Sequence, residues 1–206
     1  MADDLAELVS TWRTAVVTSE IQNGVIGERA ALPQLAAAAR ETMLPAVVRL
    51  VTAARRADVD VVHATYARRP DGKGSNTNAR LFGAMAKSPI KLLPGSEAAE
   101  VVPEVGVRPT DIVLTRGHGL NPMAGTDLDA VLRNLGVTTV VVAGVSVNVA
   151  ITNLVMDAVN LGYHVVLPRD AVCGVPTEYA DAVIDNTLSL LATLTTVDEL
   201  AAIWKG

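Results

Sequence analysis

Val137-Thr138-Thr139-Val140-Val141-Val142-Ala143-Gly144-Val145-Ser146-Val147-Asn148-Val149-Ala150-Ile151-Thr152-Asn153-Leu154 is the longest apolar stretch of the chain, and Gly144, Ser146, Asn148, Thr152 and Asn153 interrupt it. Its first half is dense in β-branched residues, which suit a pleated surface better than a helix. From Asn148 the spacing turns helical, and Asn160-Leu161-Gly162 closes the pattern with a glycine suited to the left-handed position that ends helices. The stretch reads as a buried strand, a tight turn and a covering helix. It is too interrupted for a membrane span.

Working outward, the same alternation recurs. Short β-branched runs at 14–18, 60–65, 111–115, 138–143, 164–167 and 192–195 are nearly uniformly apolar, as expected of parallel strands covered on both faces. Helical patterns occupy 33–57, 126–135, 148–161 and 177–190, with a short one at 197–204. Pro45 should kink or split the first of these. A parallel crossover needs a covering helix, so the expected fold is α/β: a three-layer α/β/α sandwich around a mostly parallel six-stranded, Rossmann-like sheet. Residues 68–106 have weak periodicity, with Asp71-Gly72, Gly74, Pro89, Pro94-Gly95 and Pro103, and form the long excursion of the chain. Such excursions often carry function.

The chain has 206 residues, half of them apolar, which suits a single domain over 1–206. Seventeen Lys and Arg against twenty-two Asp and Glu give a formal charge of −5 with no basic run, which argues against nucleic acid or a membrane surface as partner. The lone Cys173 allows no intramolecular disulfide, and residues 1–13 lack a basic start followed by an apolar block. Both point to the cytoplasm.

Ligands in doubly wound sheets bind beyond the carboxyl ends of the strands. Those ends are 19–24, 67–70, 116–119, 144–150 and 169–174. Glu20 is the only acid at the first, and reads either as a solvated or capping carboxylate or as a general acid or base. Arg116, at the end of the third strand, reads as a structural ion pair or as a fork for a substrate carboxylate, and being always protonated it is no base. After the fourth strand, the helix start at 144–150 offers backbone N–H groups to an oxyanion. His63 reads as a satisfied core histidine, His164 as structural, and His118, two residues past Arg116, as a pocket residue. Cys173 reads as a small buried apolar residue, and Ser19 should point away from Glu20 by strand alternation.

Glu20-Ile21-Gln22-Asn23, Gly125-Thr126-Asp127-Leu128, Ala143-Gly144-Val145, Asp157-Ala158, Gly162-Tyr163 and Asp170-Ala171, in this order, make the chain from about Thr14 to Leu200 resemble the isochorismatase-like hydrolases, or cysteine hydrolases. The resemblance implies a doubly wound sandwich, a small-molecule substrate, and assembly as a homodimer or homotetramer. In most members an Asp closes the first strand, a Lys follows the third and a nucleophilic Cys opens the helix after the fourth. Residue by residue those positions are Glu20, Arg116 and Ala150 here, so acid and cation are kept and the thiol is replaced by a methyl group. The resemblance places Gln22, His118, Val145, Ser146 and Val149 around the substrate, with a cis peptide often found at the turn holding Ser146. Metal-using relatives carry an Asp and two His after the second strand, where this chain has Tyr66-Ala67-Arg68-Arg69-Pro70. No metal and no cofactor are expected.

True isochorismatases also lack the cysteine and hydrolyse a vinyl ether by protonation from the first-strand acid. Glu20 suits that role, with Arg116 anchoring substrate. The alternatives are a catalytically inactive relative that binds a ligand or serves as a scaffold, and an amide or ester hydrolase with a relocated nucleophile. A cavity faced by Glu20 and Arg116 would favour the first, and one filled by Phe82, Met85 or Met123 the second.

Overall fold

The computed structural model describes residues 4–205. The strands are β1 (Thr14–Ser19), β2 (Asp60–Tyr66), β3 (Ile112–Arg116), β4 (Thr139–Val145), β5 (His164–Pro168), β6 (Val172–Cys173) and β7 (Thr193–Thr195). The helices are α1 (Leu5–Leu8), α2 (Asn23–Ile26), α3 (Pro33–Ala38), α4 (Leu44–Arg56), α5 (Arg80–Lys87), α6 (Leu128–Asn134), α7 (Thr152–Asn160), α8 (Thr177–Asn186) and α9 (Val197–Ile203). The strands run parallel in the order β3-β2-β1-β4-β5-β7, and the sheet has seven rather than six. The extra one is β6: a single 3₁₀ turn at Arg169–Ala171 interrupts the line of β5, and Val172 and Cys173 resume it beside Gly144 and Val145. Two residues are too few to read as a strand from pattern alone.

Alternate residues of the central strands feed two separate cores. Val16, Val141, Val145 and Val166 pack with Leu50 of α4 and Leu200 of α9. Val17, Val140 and Val142 pack with Leu132 of α6, Leu154 of α7 and Ile184 of α8. Every residue of β1 and β4 is buried, in line with their uniform apolar runs. Strand β3 departs from that expectation: Val113 is 43% exposed, because this edge strand is covered on one face only.

The helix expected over 33–57 is three pieces, with a π turn at Ala39–Met43 joining α3 to α4. Pro45 lies directly after the π turn, in the first turn of α4, where a residue without an N–H interrupts the regular helical bonding. The long excursion contains α5, an amphipathic helix of which no residue is buried. Gly144 is required where β1 and β4 end together: its φ is +108°, and a Cβ there would lie 2.2 Å from the Ser19 carbonyl oxygen.

Candidate active site

At the end of β1 the side chains diverge. Ser19 is buried and its Oγ donates to the Val145 carbonyl at 3.0 Å, away from the neighbouring carboxylate. Glu20 has φ +53°, a left-handed conformation that costs a non-glycine residue about 1–2 kcal/mol and tends to persist where function requires it. Its N–H still donates to the Ala64 carbonyl, so the turn is held by β2 while the carboxylate reaches Arg116.

Gln22 does not reach the substrate space expected of it. Its Nε2 donates to the carbonyls of Tyr66 (2.9 Å) and Ala99 (2.7 Å), and its Oε1 accepts from the Tyr66 N–H (2.8 Å). A fully buried amide with these partners is a clamp between β1, β2 and the excursion.

Arg116 is the buried cation of the site. Its Nη2 donates to Glu20 Oε1, and its guanidinium carbon lies 5.4 Å from the centre of the Tyr66 ring, on the residue directly across the β2–β3 pairing. Its Nε and Nη1 are buried and have no acceptor. Guanidinium donors left without acceptors inside a protein are costly, so they call for an anionic or carbonyl group that enters from outside the chain.

Strand β4 ends at a cis Val145–Ser146 peptide, and a π turn at Val147–Ile151 leads into α7. Ser146, Asn148, Val149 and Ala150 line a cavity of about 230 Å³ together with Glu20 and Arg116. Val145 itself belongs to the core, with its carbonyl accepting from Ser19 Oγ, and does not line the cavity. The amides expected to face an oxyanion are partly committed already: the N–H groups of Val149 and Ile151 both donate to the Ser146 carbonyl.

His118 is exposed and lines a different cleft, beside β3, with Thr115 and Asp127. Arg116 lines this cleft as well as the cavity, whereas His118 lines the cleft alone. Met123 is buried in the core under α6 rather than in the cavity, whereas Phe82 and Met85 form part of the cavity wall without filling it. Leu81, Phe82 and Met85 present one face of α5, a helix inside the excursion of weak periodicity; their i, i+1, i+4 spacing is the signal that marks it.

His63 is a buried structural group, its Nδ1 2.7 Å from Thr18 Oγ1 and its Nε2 3.4 Å from Asp111 Oδ2. Burial holds it below the usual histidine range, although Asp111 opposes this. Cys173 is buried in the core outside the cavity, and burial pushes its thiol up, which leaves less of the nucleophilic thiolate. Among the described residues no cluster of three or more His, Cys, Asp or Glu side chains is disposed for a metal ion, and no helix is long and apolar enough to cross a membrane.

The family model of the isochorismatase domain matches residues 14–199, a span that contains all seven strands and the whole cavity. The isochorismatase family protein YwoC of Bacillus subtilis is 34% identical over 86 residues, which are 42% of this chain and 45% of that protein. An N-carbamoylsarcosine amidase from an Arthrobacter species is 26% identical over 135 residues, 64% of this chain and 50% of the amidase. The chain spans about half the length of the curated relatives it matches. The crystal structure of a cysteine hydrolase from Pseudomonas syringae has the same fold, with a TM-score of 0.84 over 96% of this chain and 95% of that one at 22% identity. With the strand order, the cavity beyond the carboxyl ends of β1, β3 and β4, and a domain match across nearly all of the chain, this protein belongs to the isochorismatase family.

Proposed function

We propose that this protein hydrolyses a small carboxylated molecule without a cysteine nucleophile, by proton transfer at Glu20 with Arg116 anchoring the substrate, and that the bond cleaved is an enol ether. The observation that carries the reading is the half-used guanidinium: Nη2 of Arg116 holds Glu20, while Nε and Nη1 lie buried without an acceptor beside the cavity. The isochorismatase family is generally one of hydrolases, which supports the reaction class.

A substrate carboxylate on Arg116 brings a second negative charge next to Glu20. In this reading Glu20 enters the reaction as the acid, carrying the proton beside the seated substrate. That proton adds to the terminal carbon of the enol ether and leaves an oxocarbenium ion. Water adds to the cationic carbon and returns a proton to Glu20, and the hemiketal collapses to a ketone and an alcohol. One water is consumed and Glu20 ends as it began.

Thioester chemistry has weaker support. By the family resemblance Ala150 occupies the position of the nucleophile, and its methyl group lines the cavity, while the single thiol lies in the core.

The test is pyruvate release from two enolpyruvyl ethers, isochorismate and the enolpyruvyl ether of benzyl alcohol. The expected result is release from at least one, reduced on the order of 10²–10⁴-fold in Glu20→Gln. Full activity in Glu20→Gln, or no pyruvate from either ether, would overturn the reading.

A further inference from the structure

The walls of the cavity discriminate among carboxylates. Its polar side chains, Glu20, Tyr66, Arg116, Ser146 and Asn148, come from the carboxyl ends of β1, β2, β3 and β4. Two of them are already engaged. Glu20 is paired with Arg116, and Asn148 donates through Nδ2 to the Val175 carbonyl at 2.8 Å. The other end of that amide, Oδ1, has no hydrogen-bond partner and is packed so tightly on Gly174 that a Cβ there would lie 2.2 Å from it. Asn148 is therefore held against the 174–175 backbone. What remains for a charged ligand group is the unpartnered Nε and Nη1 of Arg116, with the Ser146 and Tyr66 hydroxyls elsewhere on the wall, which is provision for about one anionic group.

The rest of the wall is hydrocarbon. Val25 and Leu35 face the cavity from α2 and α3, Leu81, Phe82 and Met85 from α5, and Val149 from the turn before α7. At about 230 Å³ the space lies below the ~300–1,000 Å³ of sites for drug-sized ligands, so the ligand is small. A ring carrying several hydroxyls would lose its water against Leu, Phe and Met with only the Ser146 and Tyr66 hydroxyls in return, whereas a hydrocarbon body gains from the same contact.

We propose that the cavity binds an apolar monocarboxylate: one carboxylate seated on Arg116, joined to a compact aliphatic or aromatic body with no hydroxyl groups of its own. The inference rests on the reading of Arg116 as substrate anchor and adds the class of substrate, which makes the enol ether of an apolar alcohol a better substrate than a polyhydroxylated one.

The test uses three ligands of similar size, measured by calorimetry or ligand-observed NMR on the intact protein: cyclohexanecarboxylate, shikimate and cyclohexylmethanol. Shikimate keeps the ring carboxylate and adds hydroxyls, while cyclohexylmethanol keeps the ring and loses the charge. The expected result is that cyclohexanecarboxylate binds on the order of tenfold or more tightly than either. Arg116→Gln should erase its advantage over the alcohol, and Phe82→Ser, on an exposed helix, should narrow its advantage over shikimate. Shikimate binding as tightly, the alcohol binding as tightly, or no binding of cyclohexanecarboxylate would each overturn the proposal. These measurements involve no turnover. Tight binding of cyclohexanecarboxylate without pyruvate release from either ether would sink the hydrolase reading alone, and pyruvate release with shikimate preferred would sink this one alone.

Discussion

Strand β3 has a buried guanidinium–carboxylate pair at each end, and the two are built differently. At its amino end Arg55 grips Asp111 twice, Nε to Oδ1 at 3.2 Å and Nη2 to Oδ2 at 2.5 Å, and its remaining donors go to the carbonyls of Val105 and Gly106. Asp111 also accepts from the Arg108 N–H, and its side chain is 1% exposed. At the carboxyl end Arg116 holds Glu20 through Nη2 alone, two of its nitrogens have no acceptor, and the Glu20 side chain is 21% exposed at the cavity. Both pairs join one Arg to one acid. The closed network locks α4 and the end of the excursion to the sheet, while the open one keeps capacity for a ligand.

The largest effect that would sharpen this contrast is on stability. Asp111→Ala leaves the Arg55 charge buried and unpaired, and is expected to cost about 3–5 kcal/mol in urea unfolding. A loss below about 1 kcal/mol would show that the pair is not the lock described.

The closed end should also set the acid sensitivity of the fold. Burial raises the Asp111 carboxyl, but the hydrogen bonds from Arg55 and from the Arg108 N–H outweigh it, so it lies below the ordinary 3.8; His63 lies below the ordinary 6.5. In both cases the unfolded chain binds the proton at a higher pH than the native one. Stability is therefore complete above about pH 6.5 and falls as pH drops, first through His63 and then below 3.8 through Asp111. The His63 contribution should reach at most about 1.4 kcal/mol per pH unit, and His63→Asn should flatten the stability profile just below pH 6.5. An unchanged profile in that variant would remove His63 from the account.

Smaller again is the expected stability change at the open end. In Arg116→Met the Glu20 carboxylate can still reach water through the cavity, so unfolding should shift by about 1 kcal/mol or less while ligand binding is lost. A penalty equal to that of Asp111→Ala would make this pair structural too. Phe82→Ala, on a helix that buries no residue, should stay within about 0.5 kcal/mol of wild type and show itself only in ligand affinity.

The layered fold was legible because the 137–154 stretch and its counterparts repeat one arrangement, and period and propensity are local properties. The glycine that ends a helix was legible for the same reason: Gly162 has φ +86° after α7. Convergence of Glu20, Arg116, Ser146, Val149 and Ala150 followed from their places after three strands, since parallel strands bring their carboxyl ends to one edge. Gln22, His118 and Val145 share that edge but not the cavity, because rotamer and partner decide which way a side chain leaves the backbone. Strand β6 escaped because two residues carry no period, and the apolar face of α5 because it is one short stretch within an excursion punctuated by glycine and proline.

What the amino-acid sequence determined by itself is the α/β architecture, the sheet edge where chemistry is possible, and the presence of an acid and a cation there with a methyl group at Ala150. What only the tertiary structure decided is which of the two arginines paired at the ends of β3 has an acceptor at every nitrogen and which does not, and that the latter faces hydrocarbon. The reason is physical. Helix and strand preferences are settled by neighbours in the chain, whereas the count of acceptors around a guanidinium depends on groups brought together from distant parts of the sequence.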